Sequence, residues 1–294
     1  MPLKFKKTLI SKETYETAAA FDVDGDGIPD IVSGGWWYKG PDFEERHKVC
    51  EVRSEGEYYD DFSTIPMDIN GNGRMDFVTG GWFGCNLRWH ENPGNLNREW
   101  SGHIIAECGN VETTRAWDVD GDGQLEIVPN TPPTPLVVYK LIQDENGKGT
   151  GEFTAHKIYD KRQGHGLGFG DITGNGRGDF ILQNGWLEAP DDTYGGEWTF
   201  HPDFDLGSAS VPILVVDVNH DGLNDLIVGQ AHPYGLDWWE QRVSESGERT
   251  WVKHPIDPYN SQYHDIQWVD IDGDGECELV TGKRYRAHCG GDPG

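Results

Sequence analysis

The chain carries six copies of a short acidic pattern, D-x-[D/N/T]-x-[D/N]-G-x-x-[D/E]. Oxygens of the side chains at positions 1, 3, 5 and 9, with the backbone carbonyl of position 7, are the hard ligands that Ca²⁺ prefers. Glycine at position 6 permits the sharp turn that directs these oxygens inward. The pattern therefore predicts six structural calcium loops. Their side-chain ligands would be Asp22, Asp24, Asp26 and Asp30; Asp68, Asn70, Asn72 and Asp76; Asp118, Asp120, Asp122 and Glu126; Asp171, Thr173, Asn175 and Asp179; Asp217, Asn219, Asp221 and Asp225; and Asp270, Asp272, Asp274 and Glu278.

The six loops differ in acid content. At the ligand positions, the first, third and sixth copies carry four acids each, the fifth carries three, and the second and fourth carry two. Calcium affinity is expected to fall with that charge count. For the acid-poor copies, above all the one with Thr173, the alternative is a metal-free turn held by Asp and Asn side chains.

Three histidines from three consecutive repeats form a second candidate metal site. His165 and His264 precede the first strands of their repeats, and His232 follows a second strand. Three imidazoles with an open fourth position are a catalytic arrangement for zinc or another transition metal. The alternative is that unliganded histidines line a polar depression.

The same strand ends carry aromatic and charged residues that suit a carbohydrate ligand. The tryptophans could form apolar walls for sugar rings, or could instead wedge between repeats. Candidate substrate-binding residues are Trp36, Trp82, Trp186, Asp60, Asp61, Glu112, Arg115 and Asn184. Candidate catalytic residues are Lys283, His288, Tyr263 and Arg284.

The loops start 46, 50, 53, 46 and 53 residues apart, and this period predicts a repeat architecture. An apolar strand enters each loop, a second strand leaves it, and aromatic third and polar fourth strands follow. Four short strands per period are typical of a β-propeller blade. We therefore predict an all-β propeller in one domain, 1–294, with six visible repeats. A strand over 3–10 would close the ring, and the last blade is incomplete, which indicates truncation of a seven-bladed protein.

The amino-acid composition limits the classes of binding partner. Lys plus Arg number 24 and Asp plus Glu 51, for a net charge of −27, and nineteen of the acids occupy ligand positions of the six loops. No basic stripe favours nucleic acid, and no apolar run is long enough for a membrane span. The five cysteines fit reduced thiols. The chain is expected in the cytoplasm if Met1 is the native start, and in the periplasm or outside the cell otherwise. No oligomeric state is predicted.

The repeated loop before an apolar strand resembles the FG-GAP or VCBS type of propeller, which integrin heads and many bacterial proteins contain. More narrowly, the turn after Trp89, the run from His264 into Asp270, and His232 after a second strand resemble the propeller domain of aldos-2-ulose dehydratase. That resemblance implies a zinc ion that binds a keto-sugar and assists elimination of water. Ulvan lyases show that related propellers also eliminate across uronic acids.

The functional expectation is a metal-assisted carbohydrate lyase or dehydratase. Zinc on the three histidines would polarise a sugar carbonyl, and Lys283, His288 or Tyr263 would take the adjacent proton. Two alternatives stay open: a non-catalytic glycan-binding propeller, and an integrin-like scaffold for protein interactions.

Overall fold

The computed structural model describes residues 3–95 and 97–283, and within them the protein is all-β. This confirms the all-β part of the prediction. No helix forms in the described residues, so none there is available to cross a membrane. The chain divides into two compact units, one of Met1–Ala116 with Leu125–Lys157, and one of Trp117–Gln124 with Ile158–Gly294.

Antiparallel sheets with neighbouring strands in chain order build the first unit. The first sheet contains β1 (Ala19–Phe21), β2 (Asp30–Ser33), β3 (Trp36–Tyr38) and β4 (Arg46–Lys48). A short hairpin follows, β5 (Ser54–Glu55) with β6 (Tyr58–Tyr59). The second sheet contains β7 (Ile65–Met67), β8 (Asp76–Gly81), β9 (Asn86–Glu91) and β10 (Ser101–Ala106). The third contains β11 (Thr113–Trp117), β12 (Glu126–Asn130), β13 (Leu136–Gln143) and β14 (Gly149–Tyr159).

The second unit repeats the same meander. Its first sheet contains β15 (Leu167–Gly170), β16 (Asp179–Leu182), β17 (Gly185–Glu188) and β18 (Thr199–His201). Its second contains β19 (Leu214–Val216), β20 (Asp225–Gly229), β21 (Tyr234–Val243) and β22 (Arg249–Ser261). A pair of strands, β23 (Ile266–Val269) and β24 (Glu278–Thr281), ends the described part of the chain. Each acidic loop connects the first and second strands of its sheet.

Apolar residues on the second and third strands supply the core of each repeat. In the first sheet Val32 and Trp37 pack with Val49, and in the fourth Ile181 and Trp186 pack together with Leu226 of the next sheet. Second strands such as β16 and β20 are buried along their whole length. Their sequences are continuous apolar runs after the acidic loop, because both faces of each strand are covered by neighbouring residues.

A histidine on the fourth strand stacks on a tryptophan of the third strand in four of the sheets. The two residues are direct cross-strand neighbours, and their ring centroids lie 4.2–4.5 Å apart. The pairs are Trp37 with His47, Trp89 with His103, Trp186 with His201, and Trp238 with His254. A glutamate also contacts each histidine, as Glu188 contacts His201 at 2.8 Å and Glu240 contacts His254 at 2.7 Å.

The predicted strand over 3–10 does not form, because these residues have no regular secondary structure. Phe5 and Leu9 are 80% and 74% exposed, so apolar burial does not hold the segment in a sheet. The third and fourth strands of the fourth repeat, β17 and β18, form as the four-strand pattern predicts, although they are short and separated by residues 189–198. The ring arrangement, the blade number and the single domain stay predictions.

Candidate metal sites

All six acidic loops adopt one conformation. The first-position aspartate accepts a hydrogen bond from the backbone N–H of position 6, at 2.7–3.0 Å in every copy. The fifth-position side chain accepts one from the N–H of position 7, at 2.9 Å in every copy. Position 4 has a positive φ throughout, including 59° at His220, which stands in for glycine. The acid-poor copies are therefore shaped like the acid-rich ones.

The ninth-position acid is fully buried in the first five loops. In the fourth, Asp179 accepts hydrogen bonds from the backbone N–H groups of Ile172 and Ala189, both at 2.9 Å. These bonds tie the loop to the end of the third strand. Burial nevertheless raises the pKa of Asp179 to about 6, and it raises the pKa of Asp76 to about 6 in the second loop. The fold therefore places a carboxylate where its charge is costly without a nearby cation.

Carboxylates crowd together in the three loops with four acids. Ligand oxygens lie within 4.8 Å of one another in three groups: Asp22, Asp24 and Asp30; Asp118, Asp120 and Asp122; and Asp270, Asp272 and Glu278. In the first loop Lys39 contacts Asp24 and lies 2.7 Å from Asp26, so a cationic group already balances these acids. In the sixth, the neighbouring charge of Asp274 raises the pKa of Asp272. These loops are the ones predicted to bind calcium most tightly.

The three predicted zinc histidines lie together in the second unit. His165 stands two residues before β15, His232 lies in the connection from β20 to β21, and His264 stands two residues before β23. The ring centroids of His165 and His232 are 5.3 Å apart, and those of His232 and His264 are 5.8 Å apart. These connections lie at the strand ends opposite the acidic loops.

The spacing of the ring centroids is that of imidazoles around one metal ion, but the ring nitrogens of the three histidines do not all lie within 4.8 Å of one another, so the rings must turn to bind it. With zinc–nitrogen distances of about 2.1 Å and tetrahedral angles, two imidazole centroids around one zinc lie roughly 5 Å apart. The Nδ1–H of His165 donates to the carbonyl of Ala209 at 2.7 Å, which leaves the lone pair on Nε2. A hydrogen bond from the far nitrogen to a carbonyl is the usual support of a metal-binding histidine.

Two glutamines, a buried Gln262 and a half-buried Gln183, support the backbone around the histidines. Gln262 donates from its side chain to the carbonyl of His232 at 3.1 Å, and Gln183 accepts from the N–H of His165 at 3.3 Å. Gln262 has a φ of 65°, which is uncommon outside glycine and often marks functional sites. No pattern in the sequence pointed to these glutamines, because their role depends on tertiary contacts.

The candidate catalytic residues divide into three cases. The hydroxyl of Tyr263 donates to Asp257 at 2.6 Å, the ring packs in an apolar cluster, and burial raises its pKa to about 12. This geometry gives Tyr263 the features of a packed neutral phenol. Lys283 is exposed just after β24. Arg284 and His288 lie outside the described residues.

The candidate substrate residues of the second unit differ in exposure. Trp186 is fully buried, stacks on His201 and donates from Nε1 to Asp203 at 2.9 Å. Its position favours the packing alternative over a sugar-binding wall. Asn184, at the turn between β16 and β17, is exposed.

In the first unit, several candidate substrate residues have structural contacts. The guanidinium carbon of Arg46 lies 4.2 Å from the ring centroid of Trp36, so it covers one face. Asp60 is buried and accepts the N–H groups of residues 83 and 84 at 2.8 and 3.0 Å. Asp61 is buried, whereas Trp82, Glu112 and Arg115 are half-buried. The predicted roles of these residues in substrate binding stay predictions.

Comparison with known proteins identifies the family. An FG-GAP-like repeat model matches residues 68–128 and 194–281, about half of the chain, and the chain belongs to this family. No curated protein matches it. A crystal structure of the V. cholerae biofilm matrix protein Bap1 is similar at 18% identity and a TM-score of 0.38, over 74% of this chain and 34% of that one. The chain spans about a third of the length of that protein, and so weak a likeness carries no argument about function.

Proposed function

We propose that this FG-GAP-like protein is a calcium-stabilised β-propeller that binds a zinc-like metal and catalyses elimination on a carbohydrate. The observation that carries the proposal is the convergence of His165, His232 and His264 from three repeats. Three imidazoles in one place are more than a repeat scaffold requires.

Contacts between first strands support the propeller. Within the first unit β1 contacts β7, and within the second unit β15 contacts β19 and β19 contacts β23. Gly168 of β15 forms a parallel bridge with Ile213, beside the start of β19. Neighbouring first strands that run in parallel are expected where blades surround a common axis.

Charge compensation supports calcium in the loops. Buried ninth-position acids and crowded carboxylates are both unfavourable without a cation, and a bound Ca²⁺ would offset both. The three loops with four acids are the proposed high-affinity sites. Their shared conformation lets the remaining loops bind more weakly with the same ligand positions.

The histidines of the second unit would hold the zinc-like metal. A divalent metal at this position would supply Lewis-acid polarisation of a substrate carbonyl. The contacts of Ala209 with His165 and of Gln262 with the His232 backbone would hold the imidazoles in place. Lys283 follows β24 at the same strand end where His232 follows β20, and we propose it as the group that accepts the proton adjacent to the carbonyl.

The substrate class is a keto-sugar or a uronic-acid glycan. This part of the proposal rests on the resemblance to the aldos-2-ulose dehydratase propeller, in which elimination occurs next to a carbonyl. Exposed Asn184, two residues after the end of β16, could hydrogen-bond a sugar hydroxyl.

Metal analysis and a product assay test the proposal. The purified protein should contain zinc as well as calcium, and His232→Ala should lose the zinc while it retains the calcium. His220→Ala is the matched control, because His220 is exposed in an acidic loop and should leave both metals in place. Chelated protein should regain formation of an ultraviolet-absorbing unsaturated product when zinc is restored.

Three results would change the assignment. Saturable sugar binding without an unsaturated product would make the protein a glycan-binding propeller. Zinc content that is unchanged in His232→Ala would remove the histidines as ligands, and activity that persists unchanged after chelation would remove the metal from the reaction.

A further inference from the structure

A small polar cavity lies in the first unit. On one side are Thr79 and His90 from the same face of strands β8 and β9, and on the other is Cys50, just after β4. Asp61 and Ser63, just before β7, also line it. We call this the Cys50–His90 cavity. It belongs to neither the acidic loops nor the histidine cluster of the second unit.

The cavity contains polar groups that the protein alone does not satisfy. Asp61, Ser63 and His90 are 3%, 5% and 8% exposed. Both carboxylate oxygens of Asp61, Oγ of Ser63 and Nδ1 of His90 lack a hydrogen bond of normal geometry, although the N–H of Glu16 is close enough to lower the pKa of Asp61. Each such group costs about 1–3 kcal/mol. The Asp61 carboxylate and the Ser63 hydroxyl, buried together in this cavity, indicate a ligand that satisfies them.

The pair of Cys50 and His90 identifies the kind of ligand. Sγ of Cys50 lies 3.9 Å from Nε2 of His90. A thiolate and an imidazole on one tetrahedral zinc, with bonds of about 2.3 and 2.1 Å, place sulfur and nitrogen roughly 3.6 Å apart. The His90 ring is held by stacking on Phe77, with centroids 5.0 Å apart.

We propose that Cys50, His90 and Asp61 bind a zinc-like divalent cation in the first unit. Sulfur, nitrogen and carboxylate ligands together favour zinc over calcium or magnesium. The thiolate and the carboxylate would balance the two positive charges. Arg88 also lines the cavity, but its guanidinium is held by the Asp60 carbonyl and by Asn86 at 3.1 Å.

Asp61 must move toward the pair to complete the set. Among the described residues, the groups of three ligand atoms within 4.8 Å lie in the acidic loops. The unsatisfied carboxylate of Asp61 gains a partner by this movement, and Ser63 lies beside it to accept a water ligand's hydrogen bond.

Cobalt substitution of the full chain tests the site separately from the histidine cluster. With the acidic loops saturated with Ca²⁺, stoichiometric Co²⁺ should produce a thiolate-to-cobalt charge-transfer band, which added Zn²⁺ abolishes. Cys50→Ser should lose the band. His232→Ala should retain it, because the histidine cluster contains no sulfur, so failure of either proposal is recognised separately.

Cys85→Ser is the matched control, since the Cys85 thiol lies by the carbonyl of Trp82 at 3.5 Å and should leave the band unchanged. Asp61→Asn should weaken cobalt binding about tenfold or more, as loss of supporting or ligating groups does at metal sites. Circular dichroism establishes that each variant is folded, and Asp61→Asn remains a test if Cys50→Ser is not. No charge-transfer band in the wild type, a band retained in folded Cys50→Ser, or unchanged affinity in Asp61→Asn would each overturn the site.

Discussion

The buried ninth-position acid of the fourth loop makes stability depend on pH in a direction opposite to that of an ordinary salt-bridged aspartate. Asp179 is fully buried, and desolvation raises its pKa from 3.8 to about 6 in spite of two backbone hydrogen bonds. Between these values the folded protein holds the proton more tightly than the unfolded chain. The free energy of unfolding must therefore fall as pH rises through this interval.

The size of the effect follows from the shift. About two pKa units correspond to about 3 kcal/mol between the protonated and charged forms. In Asp179→Asn this dependence disappears, while one backbone N–H, of Ile172 or Ala189, loses its acceptor at a cost of about 1–3 kcal/mol. The variant should therefore be less stable than the wild type at low pH and similar to it, or slightly more stable, at neutral pH.

Urea unfolding in the presence of a chelator measures this difference. From about pH 3 to about pH 7, the stability difference should shift by about 3 kcal/mol in favour of Asp179→Asn. Asp191→Asn makes the same chemical change at a side chain that is 95% exposed and should follow the wild type at every pH. Parallel pH profiles for wild type and Asp179→Asn would show that burial of this carboxylate carries no such cost, and would remove one support for calcium in the loops.

Three further outcomes test the packing and the loops. Gly168→Ala should destabilise the protein by about 1–3 kcal/mol in thermal unfolding, because its Cβ would lie 2.4 Å from a neighbouring backbone oxygen. Gly282→Ala is the control, because its Cβ would meet nothing within 4 Å and the substitution should be neutral. Equal stabilities of the two variants would contradict the close approach at Gly168. His254→Ala should cost about 0.5–1.5 kcal/mol in urea unfolding by loss of its stack on Trp238, and an unchanged midpoint would argue against it. Calcium at a hundred times its dissociation constant should stabilise the folded protein by about 2.7 kcal/mol per site. In titration calorimetry, Asp118→Asn should bind one calcium ion fewer than the wild type. An unchanged stoichiometry would show that the third loop does not bind calcium.

Much of the fold was predictable because each repeat marks its own strands. The third strand at Trp36–Tyr38 coincides with an aromatic run, and the strand at Ile266–Val269 is the apolar run that enters the sixth acidic loop. The fourth repeat was harder, because residues 189–198 separate two short strands without alternating polarity. The segment 3–10 has the composition of a strand, but a strand needs a partner edge, and composition does not supply one.

The histidine cluster was predictable for the same reason that the strands were. Position within a repeat determines which end of a sheet a residue occupies, so three distant histidines could be assigned to one end. The position of a residue within its repeat does not predict how deeply its side chain is buried or which residues it contacts in a neighbouring sheet. The buried stack of Trp186 on His201 and the approach of Cys50 to His90 both depend on packing, and the two histidines lie in fourth and third strands that show no sign of chemistry in the sequence.

Ligand chemistry separates the three kinds of proposed site from one another. The loops offer only oxygen, so they favour calcium and discriminate poorly among hard cations. The cluster around His232 offers nitrogen ligands, and the Cys50–His90 cavity adds a sulfur ligand. Imidazole and thiolate bind transition metals such as zinc more tightly than they bind calcium, so both sites favour these softer metals. A chelator selective for transition metals should therefore strip the last two and leave the loops occupied. Any activity that survives this treatment, and is lost only when calcium is removed, would belong to the folded scaffold rather than to either transition-metal site.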